Sequence, residues 1–134
     1  MNQARLHDRS ILIVDDDEDI LRSMEIAIRS EGAQTETVMD GNAAISMCNR
    51  LNPDAVVLDM MLPKRSGFLV LEQIRDLPRA PVVVMVTANE GRRHKAYAES
   101  LGVHEYLNKP VALDSLIETL SRLLAERDSL DTDQ

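Results

Sequence analysis

Ile11-Leu12-Ile13-Val14-Asp15-Asp16-Asp17 runs four apolar residues straight into three carboxylates. A strand that is apolar on consecutive residues is covered on both faces, as in a parallel sheet. Three further runs repeat the arrangement. Ala55-Val56-Val57-Leu58 stops at Asp59, Val82-Val83-Val84-Met85-Val86 stops at Thr87, and Glu105-Tyr106-Leu107-Asn108 stops at Lys109-Pro110. In an open parallel α/β sheet the carboxyl ends of the strands form the ligand crevice. The four runs therefore bring carboxylates, a hydroxyl and an ammonium to one point, a set suited to handling a phosphoryl group.

Helical spacing fills the intervals. Ile20, Leu21, Met24, Ala27 and Ile28 mark a first helix that ends near Gly32. Gln34 to Val38 is polar on both faces, which suits an edge strand. Ala44, Met47, Cys48 and Leu51 mark a second helix stopped before Pro53, and Phe68, Leu71 and Ile74 a third stopped before Pro78. Residues 91–101 form a weaker helix whose stripe is Ala96, Ala98 and Leu101. Leu113, Leu116, Ile117, Leu120, Leu123 and Leu124 mark a strong final helix, after which the polar tail Glu126 to Gln134 is expected to fray. The pattern is βαβαβαβαβα. Right-handed crossovers make it a three-layer α/β sandwich. The doubly wound five-stranded parallel sheet has the order 2-1-3-4-5, which puts polar strand 2 at an edge and strands 1 and 3 at the centre.

The 134 residues fit one domain with one core. Residues 1–134 read as a single domain with a core of about 9–126, a short disordered N-terminus and a polar C-terminal tail. The one cysteine, Cys48, falls in an apolar helical pattern and reads as a buried thiol, which fits a reducing compartment. The net charge of −8 disfavours nucleic acid, whose binding is dominated by cations on phosphates. With one Phe and two Tyr there is no stacking platform for single strands. The first ten residues contain no apolar signal segment. No run approaches the ~20 apolar residues that span a bilayer, so the expectation is a cytoplasmic protein without a membrane partner.

Each strand-end residue has an ordinary reading and a chemical one. Among Asp15, Asp16, Asp17, Glu18 and Asp19, one Asp caps the first helix and others favour its positive end. Three consecutive Asp after a buried strand also suit a cation, and carboxylates with open water positions suit Mg²⁺. Asp59 is a turn residue, or a further metal ligand and a carboxylate nucleophile that forms an acyl phosphate. Lys109 is a solvated lysine beside a turn proline, or the cation that binds phosphate. Thr87 is a β-branched strand residue, or a hydroxyl donor to a phosphoryl oxygen. Four such residues at successive strand ends favour the chemical reading. Arg92, Arg93, His94 and Lys95 place cations at a helix N-terminus, where they are unfavourable; they form a basic face or a partner surface. His7, His94 and His104 lie outside the set.

Together these residues resemble the receiver domain of two-component response regulators, over roughly residues 9–126. The matching segments are Ile11 to Asp17, Asp59-Met60-Met61-Leu62-Pro63 with Gly67, Val86-Thr87-Ala88, and Lys109-Pro110. The resemblance implies a flavodoxin-like fold of the chemotaxis-receiver type, whose strand order is the one read above. It implies that Asp59 accepts a phosphoryl group from a sensor histidine kinase or phosphotransfer protein. It also implies Mg²⁺ held by Asp16, Asp59 and the Met61 backbone carbonyl, with Asp15 acting through water. Lys109 and Thr87 then contact the phosphoryl oxygens. Met61 and Asn89 flank the path of the hydrolytic water, Thr87 and Tyr106 form the switch, and the Lys109-Pro110 bond is cis. Two departures stand out. The loop after Pro63 carries Lys64-Arg65, and Ala112 stands where a helix cap is common.

The expected function is a phosphorylation-controlled switch acting through helix 4, strand 5 and helix 5 on a protein target or output domain. A phosphorylation-dependent dimer is an open alternative. The competing reading is an aspartate-nucleophile phosphotransferase or phosphatase, which places a general acid two residues after the nucleophile. That place is Met61, which moves no protons. A flavodoxin-like cofactor carrier needs a hydroxyl- and glycine-rich loop where this chain has three Asp.

Overall fold

A computed structural model describes residues 4–88 and 91–132. Ten elements alternate along the chain: β1 (Ser10–Val14), α1 (Glu18–Arg29), β2 (Gln34–Val38), α2 (Gly41–Leu51), β3 (Ala55–Leu58), α3 (Gly67–Ile74), β4 (Val82–Thr87), α4 (Arg92–Ser100), β5 (Glu105–Asn108) and α5 (Leu113–Thr132). The five strands form one parallel sheet in the order β2-β1-β3-β4-β5. β2 is at an edge, and its alternating exposed and half-buried residues match its polar sequence.

Side-chain alternation along each strand splits the core in two. Ile11, Ile13, Val57, Val84 and Val86 pack under α1 and α5, against Met24, Ile28, Leu116 and Leu120. Leu12, Val14, Val56, Leu58 and Met85 pack under α2, α3 and α4, against Cys48, Leu71, Ile74 and Ala98. On α3 the buried face includes Val70, whereas Phe68 is only half-buried. On α4, Ala98 is buried and Ala96 is exposed, so the stripe is thinner than its spacing predicts. Asp17 caps α1 by accepting from the Asp19 and Ile20 amides, Asp40 caps α2 and Ser66 caps α3. Gly91 offers α4 no side-chain cap, and the first turn carries Arg92 and Arg93. Electrostatics and packing thus both leave α4 the least supported helix.

Both chain ends depart from expectation. The N-terminal segment reads as disordered, yet Leu6 is fully buried in the core beneath α1 and α5. Its amide donates to the Glu31 carbonyl at 2.9 Å. Arg5 pairs with Glu31 at 3.0 Å and with Asp114 at 2.8 Å. At the other end α5 does not fray after Glu126 but continues to Thr132. The cause is lateral fastening: Arg127 reaches Asp54 at 3.4 Å and the Ala80 carbonyl at 3.3 Å, and Asp128 pairs with Arg9.

Candidate functional site

β1 and β3 are neighbours in register, with Val14 beside Leu58. The next residue on each strand, Asp15 and Asp59, therefore meets the other across the centre of the sheet. The Asp59 amide donates to the Val14 carbonyl at 3.0 Å and holds this junction closed. Asp15 and Asp59 are 1% and 5% exposed, whereas Asp16 faces solvent. One carboxylate oxygen from each of Asp15, Asp16 and Asp59 lies within 4.8 Å of the others. β5 ends on the far side of β4, and the Lys109 amide donates to the Thr87 carbonyl at 2.8 Å. That bond places the Lys109 ammonium 2.7 Å from Asp15 Oδ2 and 3.2 Å from Asp59 Oδ2. The Lys109–Pro110 bond is cis. Thr87 is fully buried at the end of β4.

Backbone amides orient both buried carboxylates. The Asp17 amide donates to Asp15 Oδ1 at 2.9 Å, and the Met61 amide to Asp59 Oδ1 at 3.2 Å. Burial raises the Asp59 carboxyl above its ordinary range; the Met61 amide and Lys109 oppose that, and the Asp15 charge adds to it. Burial pulls the Lys109 ammonium down, but Asp15 and Asp59 outweigh it, so its pKa ends above the ordinary lysine value. Asp15 Oδ2 is buried and has the ammonium close by without hydrogen-bond alignment. Three carboxylates against one ammonium, with a buried oxygen short of donors, fit a hard divalent cation such as Mg²⁺.

α3 begins against this site. A Cβ on Gly67 would meet the Asp59 carbonyl oxygen at 2.4 Å, so the helix start abuts the backbone of the candidate acceptor. The Gly67 amide donates to the Met60 carbonyl at 2.8 Å, closing the loop between them. Met61 stands at the rim, 64% exposed. Beside Lys109 a cavity of about 460 Å³ opens between α1 and the β5–α5 link, lined by Asp19, Ile20, Met24, Pro110 and Val111.

Other expected residues fall elsewhere. Tyr106 is on edge strand β5 as expected, but it is buried, packed with Met85, Ala98, Leu101 and Val103. Asn89 lies outside the described residues. Arg92 to Lys95 are exposed on α4. There His94 stacks on Phe68 at 6.0 Å, and Tyr97 meets Phe68 edge-on at 4.9 Å. The sequence pattern misses this cluster because its members come from two helices. His104 is not a ligand: its Nδ1 accepts from the Val83 amide at 3.0 Å, and burial together with nearby Arg127 lowers its pKa. Among the described residues no helix is long and apolar enough to cross a membrane.

The family profile of the response regulator receiver domain matches residues 11–121. The sensory transduction protein RegX3 of Mycobacterium tuberculosis is 36% identical over 115 residues, 86% of this chain and 50% of RegX3. The response regulator PleD of Caulobacter vibrioides is 35% identical over 125 residues, 90% of this chain and 28% of PleD. The chain thus spans half the length of RegX3 and less of PleD. A CheY-like response regulator receiver domain from Methanospirillum hungatei superposes with a TM-score of 0.88 at 26% identity, over 91% of this chain and 98% of that one. The receiver domain of a sensor histidine kinase from Pseudomonas aeruginosa, solved with magnesium coordinated in its active-site cleft, has a TM-score of 0.81 at 27% identity, over 88% of this chain and 98% of that one. With the strand order, the acidic cluster and the profile in agreement, the chain belongs to the response regulator receiver domain family of two-component systems, whose members are phosphorylation-dependent signalling switches.

Proposed function

We propose that Asp59 is the phosphoacceptor, loaded by a sensor histidine kinase or phosphotransfer protein in a Mg²⁺-dependent reaction. The observation that carries this reading is the Lys109 ammonium between the buried carboxylates of Asp15 and Asp59, 2.7 and 3.2 Å away. Asp59 Oδ1 is held by the Met61 amide, so the carboxylate keeps one orientation for attack. An Asp59 oxygen attacks phosphorus in line, the bond from phosphorus to the donor histidine nitrogen breaks, and that nitrogen keeps the electron pair. Lys109 pairs with a phosphoryl oxygen and Thr87 donates its hydroxyl to another. Asp15, Asp16, Asp59 and the Met61 carbonyl are the residues that would hold Mg²⁺, which when bound neutralises charge on the phosphoryl oxygens. Water later hydrolyses the acyl phosphate, with Met61 at the rim flanking its path. The cavity beside Lys109 gives a donor protein a surface next to the site.

The switch follows from burial. Thr87 is drawn toward the phosphoryl group by a charge-assisted hydrogen bond. Space behind it changes, and Tyr106, already packed against Met85 and Ala98, adjusts with it. α4 yields first because its support is weakest. The α4–β5–α5 surface then shifts an existing equilibrium toward a protein target or an output domain, or toward a dimer. The chain catalyses its own phosphoryl uptake and loss and does not turn over a substrate. It makes no direct nucleic-acid contact.

Small acyl-phosphate or phosphoramidate donors with Mg²⁺ should add one phosphoryl group, read by intact mass. Asp59→Asn should stay folded and take up none; equal labelling of that variant refutes the assignment. Uptake that persists in EDTA refutes the metal requirement. Thr87→Ala should still be labelled yet lose most of the response. Beryllofluoride-induced amide shifts should concentrate in residues 87–110, and shifts centred on α1 and α2 refute the switch.

A further inference from the structure

Gly41 opens α2 directly behind its cap Asp40, and it has no room for a side chain. A Cβ there would meet the Arg65 carbonyl oxygen at 2.1 Å and the Arg65 Cβ at 2.6 Å. Its backbone is not in the left-handed region, so glycine is needed for close approach and not for conformation. The neighbouring contacts run the same way. The Gly41 amide donates to the Pro63 carbonyl at 3.3 Å, Arg65 Nε donates to Asn42 Oδ1 at 3.0 Å, and the Lys64 ammonium lies 3.9 Å from the Asp40 carboxylate. Residues 40–42 thus pack along residues 63–65, with Arg65 held by both Gly41 and Asn42. The segment held this way is strained. Lys64 has φ +68°, in a three-residue turn closed by the Arg65 amide on the Pro63 carbonyl at 2.7 Å. A non-glycine residue persists in that conformation only where its surroundings over-determine it.

The strained turn lies in the loop that leaves Asp59. The near end is tied to the site by the Met61 amide on Asp59 Oδ1, and its neck is closed by Gly67 on Met60. The two cations that depart from the family pattern, Lys64 and Arg65, are turned onto α2. We infer that the first turn of α2 is a clamp on the acceptor loop, and that Gly41 is a positioning residue for the metal and phosphoryl site although it touches neither. The inference rests on the reading of Asp59 as phosphoacceptor.

The test is Gly41→Ala, with Asn42→Ala as a second variant that only removes a contact. Both are read by thermal melting, by amide exchange without Mg²⁺, by Mg²⁺ titration of the Met61 amide and by phosphoryl uptake. For Gly41→Ala the expected result is about tenfold faster exchange at Arg65 and about tenfold weaker Mg²⁺ binding and slower uptake, short of the roughly hundredfold that a 1 Å misplacement of reacting groups costs. Asn42→Ala should show the same direction at smaller size. A merely structural Gly41 would lower the melting temperature and leave the Mg²⁺ affinity of the folded protein alone, which refutes the clamp. If Gly41→Ala does not fold, unchanged exchange at Arg65 in Asn42→Ala overturns the inference. If the unmodified chain takes up no phosphoryl group, the functional reading fails instead, and the exchange rates still decide whether α2 fixes the loop.

Discussion

Replacing Lys109 by Met keeps most of the apolar stem of the side chain and removes the cation between two buried carboxylates. The contacts of 2.7 and 3.2 Å correspond to roughly 6 and 5 kcal/mol of gross attraction at an effective dielectric near 20. Burial of the ammonium, whose side chain is 15% exposed, takes back a large part of this. Removing one partner of a buried pair costs about 3–5 kcal/mol. For a chain of this length that is a fall of about 10–18 °C in melting temperature. The pH dependence separates charge from packing. The raised Lys109 pKa means that its contribution is complete at neutral pH and is lost as pH rises through the lysine range; on the acid side it lasts only while its Asp59 partner is charged. In the variant, Asp59 faces Asp15 without the ammonium and takes up a proton as pH falls. The gap between the two proteins should be widest at neutral pH and should shrink as pH falls through the raised Asp59 pKa and into the ordinary carboxylate range. Circular-dichroism melts in EDTA across that range measure it. A gap under about 1 kcal/mol at pH 7, or one that widens on acidification, refutes the electrostatic account of the site.

Asp59→Asn should do the opposite and melt higher than the parent at neutral pH, because burial holds the Asp59 pKa up and ionisation there costs stability. Its advantage should fade as pH falls through the raised pKa and into the ordinary carboxylate range; an advantage that grows on acidification contradicts the cause given. Leu6→Ala should cost about 2–3 kcal/mol, the low end for a buried leucine because a terminal segment relaxes easily; an unchanged melting temperature would mean that the N-terminal segment contributes no core. Burial pushes the Cys48 thiol up to about 12, so alkylation at pH 8 should proceed only at the rate of opening, and labelling at the rate of a free thiol would place Cys48 outside the core.

The fold was legible because its signals are local. Consecutive apolar residues, helical spacing and the prolines at 53 and 78 each act within a few residues, and they set the order of elements. The site was legible for a related reason: each of Asp15, Asp59, Thr87 and Lys109 directly follows or ends a strand, so locating the strands locates the residues. What escaped depends on pairs far apart in the chain. Leu6 stands alone in a polar stretch and has no periodic partner; only Glu31, Asp114 and the α1–α5 seam give it a place. The polar end of α5 is ordered by Asp54 and Arg9, 73 and 119 residues away. Tyr106 is buried although its strand is an edge, because α4 covers that side of β5 with Ala98 and Leu101. The fit of Gly41 against Arg65 likewise joins the start of α2 to a loop that no local pattern connects with it.

The sheet that divides the core is also a thermodynamic partition. Among the described residues, the buried side chains under α1 and α5 and those under α2, α3 and α4 form two clusters, one on each face of the sheet. A substitution at Tyr106 or Ala98 therefore falls on one compartment, while Leu6 and the long leucine face of α5 pack on the opposite face of the sheet. Energies of substitutions in opposite compartments should sum, whereas those within one should couple. A chain of this size can then be softened on one side of its sheet while packing on the other face still supports the fold.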